Sequence, residues 1–150
     1  MERIKVKICN TSAYPLPAYQ SDGAAGADLY AAIDAPIVIF PHKVYAVPTG
    51  IFIELPKGYE AQIRARSGLA LKHGISLVNG IGTIDSDYRG EICVILTNVT
   101  NVPYTITPGE RIAQMVFTRY EQADFETVET PEALTETERG AGGFGHSGKK

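Results

Sequence analysis

The chain has 150 residues, is 44% hydrophobic and carries a formal net charge of -3. That length suits one domain with a proper core, and the weak negative charge excludes a general nucleic-acid backbone binder, although a few placed cations could still hold a small anionic ligand. Met1 leads directly into ERIKVKI and no apolar run is long enough to span a bilayer, so neither a secretory leader nor a membrane segment is expected. Fifteen glycines, nine prolines and many Val, Ile, Thr and Tyr residues favour an all-β fold with frequent turns. Cys9 and Cys93 sit far apart in apolar strand-like runs and read as small core residues of a reducing, cytoplasmic (or nuclear) compartment. His42, His73 and His146 are isolated from one another and from the cysteines, which excludes the usual metal-ligand spacings.

In chain order, Ile4, Val6 and Ile8 alternate with Lys5 and Lys7, the pattern of a half-buried strand. The proline-rich residues 14–19 form a loop. Residues 23–32, GAAGADLYAA, contain one charge, Asp28, among small residues that allow tight packing or a turn whose amides Asp28 could satisfy. Short strands follow at 37–40, 44–47 and 51–55, separated by Pro41-His42 and Thr49-Gly50. Residues 59–66, YEAQIRAR, alternate with Ala61, Ile63 and Ala65 on one face and Gln62, Arg64 and Arg66 on the other.

Residues 67–74, SGLALKHG, are the best helix, with Ser67 as N-cap and Gly74 as a left-handed stop. A strand that delivers Arg66 to a helix N-terminus makes an anion site; a serine cap beside a solvated arginine is the plainer alternative. A strand at 75–78 leads into 79–91, NGIGTIDSDYRGE. Asn79-Gly80 is a two-residue hairpin signal, Gly82 permits close approach of backbone or ligand, and Thr83 and Ile84 read as strand. Asp85, Asp87, Tyr88 and Arg89 then crowd together before Gly90 releases the chain. They are either a solvated tip or a site. Residues 91–98 form a central strand, 104–107 and 111–120 two more. Gln114 lies inside an apolar run, so its amide is a structural bridge or a ligand contact. A last strand is expected at 125–128 and a short acidic helix over 130–138. After that the composition turns glycine-rich, GAGGFGHSGKK, and the segment cannot pack a core of its own. GAGGFG is a literal GxGxxG, but no strand–helix unit surrounds it, so a dinucleotide-binding reading fails. About ten short strands imply a barrel, sandwich or jelly roll.

Five segments in this order closely resemble the motifs of the trimeric deoxyuridine triphosphate nucleotidohydrolases (dUTPases): AGADLYA at 25–31, RSGLALKHGI at 66–75, NGIGTIDSDYRG at 79–90, PGERIAQ at 108–114 and RGAGGFGHSG at 139–148. The resemblance implies a jelly-roll β-barrel over residues 1–138, a mobile arm over 139–150 that closes on the site, and a homotrimer whose three active sites lie between subunits. It implies Mg2+-dependent hydrolysis of dUTP to dUMP and pyrophosphate, which keeps uracil out of DNA and supplies dUMP for thymidylate synthesis. Asp85 resembles the carboxylate that activates the attacking water and touches the sugar 3′-hydroxyl. Tyr88 would pack on the deoxyribose, and Asn79, Gly82, Thr83 and Ile84 would read uracil. Arg66, Ser67, Gly68 and Gln114 would hold phosphates and Arg139 the γ end, while Phe144, with Gly145 beside it, would cover the base. Asp28 would act on Mg2+ through its water shell. Arg111 fits a structural or inter-subunit ion pair. Ala65 and His146 depart from residues common in the family, Pro and Ser. A dCTP deaminase of the same fold, mono- or bifunctional, is the enzymatic alternative, but the pattern Thr83-Ile84-Asp85 with Tyr88 lacks that group's glutamate. A non-catalytic interaction barrel is the other, which would not need a water-orienting carboxylate.

Overall fold

Short β-branched runs broken by Gly and Pro fold, in a computed structural model that describes residues 3–143, into antiparallel strands wrapped around one core. These are β1 Lys7–Asn10, β2 Ala18–Tyr19, β3 Ala27–Tyr30, β4 Ile37–Ile39, β5 Val44–Pro48, β6 Ile51–Glu54 and β7 Tyr59–Ala65, then helix α1 Ser67–His73, then β8 Ile75–Leu77, β9 Gly82–Ile84, β10 Cys93–Asn98, β11 Tyr104–Ile106 and β12 Arg111–Arg119. They form four ladders: β1 with β6, β5-β10-β8, β11 with β4, and the five-stranded sheet β2-β3-β12-β7-β9. Leu29, Ile63, Leu96, Ile106, Ile112 and Met115 anchor a single buried cluster to which the ladders contribute their inward faces. No helix among the described residues is long and apolar enough to cross a membrane.

The two-residue period explains most of this. In β7 Ala61 and Ile63 are buried while Arg64 is exposed, as the alternation requires. β10 lies between β5 and β8 and is central as expected, but it buries alternate residues, Val94, Leu96 and Asn98. The Asn98 amide is fully satisfied there: Nδ2 donates to Ile39 O (3.1 Å) and Val102 O (2.7 Å), and Oδ1 accepts from Thr100 N (2.9 Å) and Thr100 Oγ1 (2.8 Å). A buried amide with every bond made fixes the 98–102 turn.

Several expectations are corrected, among them the loop over residues 14–19, whose last two residues form β2 and pair with β3. Cys9 and Cys93 are exposed, because both face away from the core on their strands. Asp28 lies on strand β3 rather than in a turn. Asn79-Gly80 is not a hairpin: β8 pairs with β10 and β9 with β7, so the turn moves the chain from one ladder to another. Ser67 is the first helical residue, the cap position falls to Arg66, and no side-chain cap bond forms. Gly74 is the left-handed stop (φ 63°) as expected. Residues 125–128 form no strand, with Phe125 87% exposed, and the acidic helix shrinks to a 3-10 turn at Pro131–Ala133. Both segments are exposed among the described residues, and a short helix without packing is marginal in water.

β11 is tied to the 107–110 turn by Glu110. The Tyr104 hydroxyl donates to Glu110 Oε1, and Glu110 Oε2 accepts from Thr107 N at 2.9 Å. His73 stacks on the Tyr104 ring at 4.6 Å, tilted. Burial, then Glu110, pushes the Tyr104 phenol from 10.0 to about 12. The protonated phenol is therefore favoured in the folded chain, and its stabilisation, complete below the unfolded value, is lost as pH rises through the folded one. Denaturation midpoints should fall between pH 10 and about 12, and Tyr104→Phe should remove that part of the fall. Identical alkaline profiles for the two proteins would disprove the coupling.

Candidate functional site

The five-stranded sheet sets β3, β12 and β7 side by side and thereby gathers residues from three distant stretches. Asp28 on β3 is 7% exposed. Its Oδ1 lies 3.3 Å from Arg66 Nε and its Oδ2 lies 3.0 Å from Arg111 NH1. Arg66 NH1 also donates to Arg111 O at 2.9 Å. One carboxylate here faces two guanidiniums, and the Glu110 carboxylate lies nearby on the Tyr104 hydroxyl. Gln114, opposite Asp28 and Arg64 in register, donates through Nε2 to Ala65 O at 3.0 Å. Its amide lies over Gly26, where an added Cβ would sit 2.3 Å from Gln114 Oε1. Gln114 is thus a bridge between β12 and the end of β7 in this state.

Arg66 is followed by the first turn of α1, where Ser67 and Gly68 are exposed. The first helical bond runs from Ala70 N to Arg66 O (3.0 Å), so the amides before it have no partner within the helix. A Cβ on Gly68 would meet nothing within 4 Å, so the turn faces open space.

The 79–91 stretch is a second constellation. Gly80 (φ 72°) closes a turn on Leu77 O at 3.1 Å. The Asn79 amide folds back over Gly82, whose would-be Cβ lies 3.4 Å from Asn79 Nδ2 and 3.2 Å from Ile63 Cβ. Gly82 pairs with Ile63, Thr83 with Gln62 and Ile84 with Ala61. Ile84 packs on the core and Thr83 is exposed. Asp85 opens the next turn, accepting Tyr88 N on its carbonyl at 3.1 Å. Arg89 staples that turn through NH1 to Ser86 O (2.7 Å) and Tyr88 O (2.8 Å). None of the described residues bonds to the exposed Asp85 carboxylate. Tyr88 donates its hydroxyl to Glu91 O at 2.9 Å and lays its ring over Gly90.

The two constellations are apart. β9 runs antiparallel to β7, with Ile84 opposite Ala61, so Asp85 falls level with Glu60 near the start of β7 and Arg66 just beyond its end. At ~3.3 Å per strand residue the separation is roughly 20 Å. Arg139 joins neither: its Nε donates to Gly142 O at 2.7 Å within its own turn. Phe144, Gly145 and His146 lie outside the described residues. No group of three or more His, Cys, Asp or Glu among the described residues could hold a metal ion. Glycines 26 and 90 and the Glu91 carbonyl support the site yet carried no sequence signal, because a glycine needed for space looks like any other turn glycine.

The fold is an antiparallel β-protein with two guanidiniums at one end of a sheet and, at the other, a carboxylate to which no described residue bonds. The chain matches the dUTPase family model over residues 12–148. It is 52% identical over 145 residues to a deoxyuridine 5′-triphosphate nucleotidohydrolase of Finegoldia magna, covering 97% of this chain and 99% of that protein. With one of Orientia tsutsugamushi it shares 55% over 151 residues, covering 98% and 100%. A Staphylococcus bacteriophage 80alpha dUTPase solved with dUPNHPP superposes with a TM-score of 0.84 at 25% identity, covering 96% of this chain and 98% of that one. The chain belongs to the dUTPase family.

Asp28→Asn removes the charge shared by two arginines. Because Arg111 is partly solvated, the loss should be about 1–2 kcal/mol, below the full range for bonds to buried charges. Urea denaturation measures it; an unchanged midpoint would show that the triad contributes nothing to stability.

Proposed function

We propose that this chain is a dUTP diphosphatase that hydrolyses dUTP to dUMP and pyrophosphate in the cytoplasm, limiting uracil in DNA and supplying dUMP for dTMP synthesis. Family membership supports the reaction. The observation that carries the architecture is the separation of the exposed Asp85 carboxylate from the Arg66 end of β7. A triphosphate held at the Arg66 end and a water held by Asp85 need both constellations in one place. A homotrimer supplies this when each shared site takes the Asp85 loop from one copy and the Arg66 turn from another.

In this reading Arg66, the Ser67 and Gly68 amides and Gln114 hold the phosphates, and Arg139 holds the γ end. Asp85 orients a water and takes its proton as the water oxygen bonds to the α-phosphorus; the bond to the β-phosphate bridge breaks and pyrophosphate leaves. The contribution of Asp85 is to place the water against the α-phosphorus. Asn79, Gly82, Thr83 and Ile84 present polar backbone and the Asn79 amide to uracil, and Tyr88 packs flat on the deoxyribose. Phe144 and Gly145, in the segment that the family match reaches, cover the base. Mg2+ would neutralise the triphosphate and arrive with it, since phosphate oxygens and waters meet its preference for oxygen ligands. Asp28 fits only an indirect contact, because its Oδ2 already accepts a bond from Arg111 and its Oδ1 is ion-paired with Arg66, while lone pairs remain for a metal-bound water.

Purified protein with Mg2+ should release pyrophosphate from dUTP, far less from UTP or dCTP, and no ammonia from dCTP. Asp85→Asn should keep the oligomer and lower turnover by roughly 10²–10⁴; near-normal turnover would remove Asp85 as the base. A chain ending at Glu138 should still sediment as a trimer, since no described residue beyond it joins the core cluster, while its turnover drops heavily because site closure is lost. Full turnover in that variant would refute the closing role of the arm.

A further inference from the structure

Gly90 is a glycine for an unusual reason. Its φ is not among the left-handed values found at Gly50, Gly58, Gly74, Gly80, Gly109 and Gly140, so the backbone there does not demand a missing side chain. Space does: a Cβ on Gly90 would sit 2.3 Å from the Tyr88 hydroxyl oxygen, 2.6 Å from Cζ and 3.0 Å from Cε2. The phenol ring lies directly on the glycine, and the rest of Tyr88 stays 43% exposed.

The outer end of the ring is fixed as well. Its hydroxyl donates to Glu91 O at 2.9 Å, and that carbonyl cannot drift. Glu91 Oε1 accepts Gly50 N at 2.7 Å. The next residue is bound on both sides, Ile92 N to Ile51 O at 2.8 Å and Thr49 Oγ1 to Ile92 O at 2.6 Å. Ile92 is fully buried and Thr49 is 2% exposed. The acceptor for a solvent-facing tyrosine is therefore bolted to the core.

We infer that Gly90 is a specificity-determining positioning residue: its bare backbone is the bed on which Tyr88 lies, and with the Glu91 carbonyl it sets the height of the wall that a sugar must pass. This rests on the reading that Tyr88 faces the deoxyribose. A ring resting on a glycine and pinned at its hydroxyl cannot recede, so it cannot open the small volume that a 2′-hydroxyl needs. A methyl at position 90 forces the ring off its bed. Because the ring is the exposed end of a side chain, it can swing outward without moving the strands, and it gives up the bond to Glu91 as it goes.

The experiment compares kcat/KM for dUTP and UTP in the full-length holoenzyme, with Gly90→Ala, Tyr88→Ala and the double variant. Gly90→Ala should lower the dUTP/UTP ratio by roughly tenfold to a hundredfold, the span of a single steric contact in a pocket. The same substitution should add nothing to the ratio in the Tyr88→Ala background, because the wall is already gone, whereas an unrelated structural lesion would add. A ratio that falls in Tyr88→Ala but not in Gly90→Ala overturns the role of Gly90 and leaves Tyr88 as the wall. A ratio unmoved by Tyr88→Ala overturns the sugar-facing reading and the inference with it. If Gly90→Ala does not fold, restored folding in the double variant supports the ring-on-glycine contact, and failure of both to fold overturns it.

Discussion

The Asp28 carboxylate between Arg66 and Arg111 is the contact on which the site end of the molecule depends. A carboxylate this buried is costly unless its charge is met, and here two guanidiniums meet it, one from the cap of α1 and one from β12. The pairing joins β3, the end of β7 and the start of β12, and it aims Arg66 through a second bond to the Arg111 carbonyl. Arg66 thus holds a structural ion pair and is also the cation proposed to face the phosphates.

Small residues around that contact act by leaving room. Gly26 admits the Gln114 amide, which bridges to Ala65, and Gly82 admits the Ile63 side chain and the Asn79 amide. Gly90 admits the Tyr88 ring. In each case a polar or aromatic group reaches a fixed position because nothing stands under it. Dense packing of this kind converts a small volume change into a displacement of the group above it.

Geometry along β7 governs what one copy can do alone. The strand separates the Asp85 turn from the Arg66 turn, and β9 pairs only with its middle residues, Ala61 to Ile63. Residues 121–138 run exposed past the sheet without pairing to it. Apolar side chains such as Phe125 and Val128 are left in solvent within one chain. A molecule arranged this way holds the parts of a site without closing it.

Much of the fold was legible in the amino-acid pattern. The alternation of Ala61 and Ile63 with Arg64, the glycine stop at Gly74 and the punctuating Pro-Gly turns follow from local sterics and the two-residue strand period. Those rules also located Arg66 beside a helix start and Asp85 beside a turn, and the ordered motifs marked the family. Pairing was not legible. Which strand β8 and β9 would each choose, and hence whether Asn79-Gly80 makes a hairpin or a crossing, depends on partners far away in sequence. So do the exposure of Cys9 and Cys93, the unpaired state of 125–128, and the capture of Asp28 by two arginines. Local sequence determines which conformations a segment can adopt; only the assembled sheet decides which side chains meet, because contact energies are collected between residues dozens of positions apart.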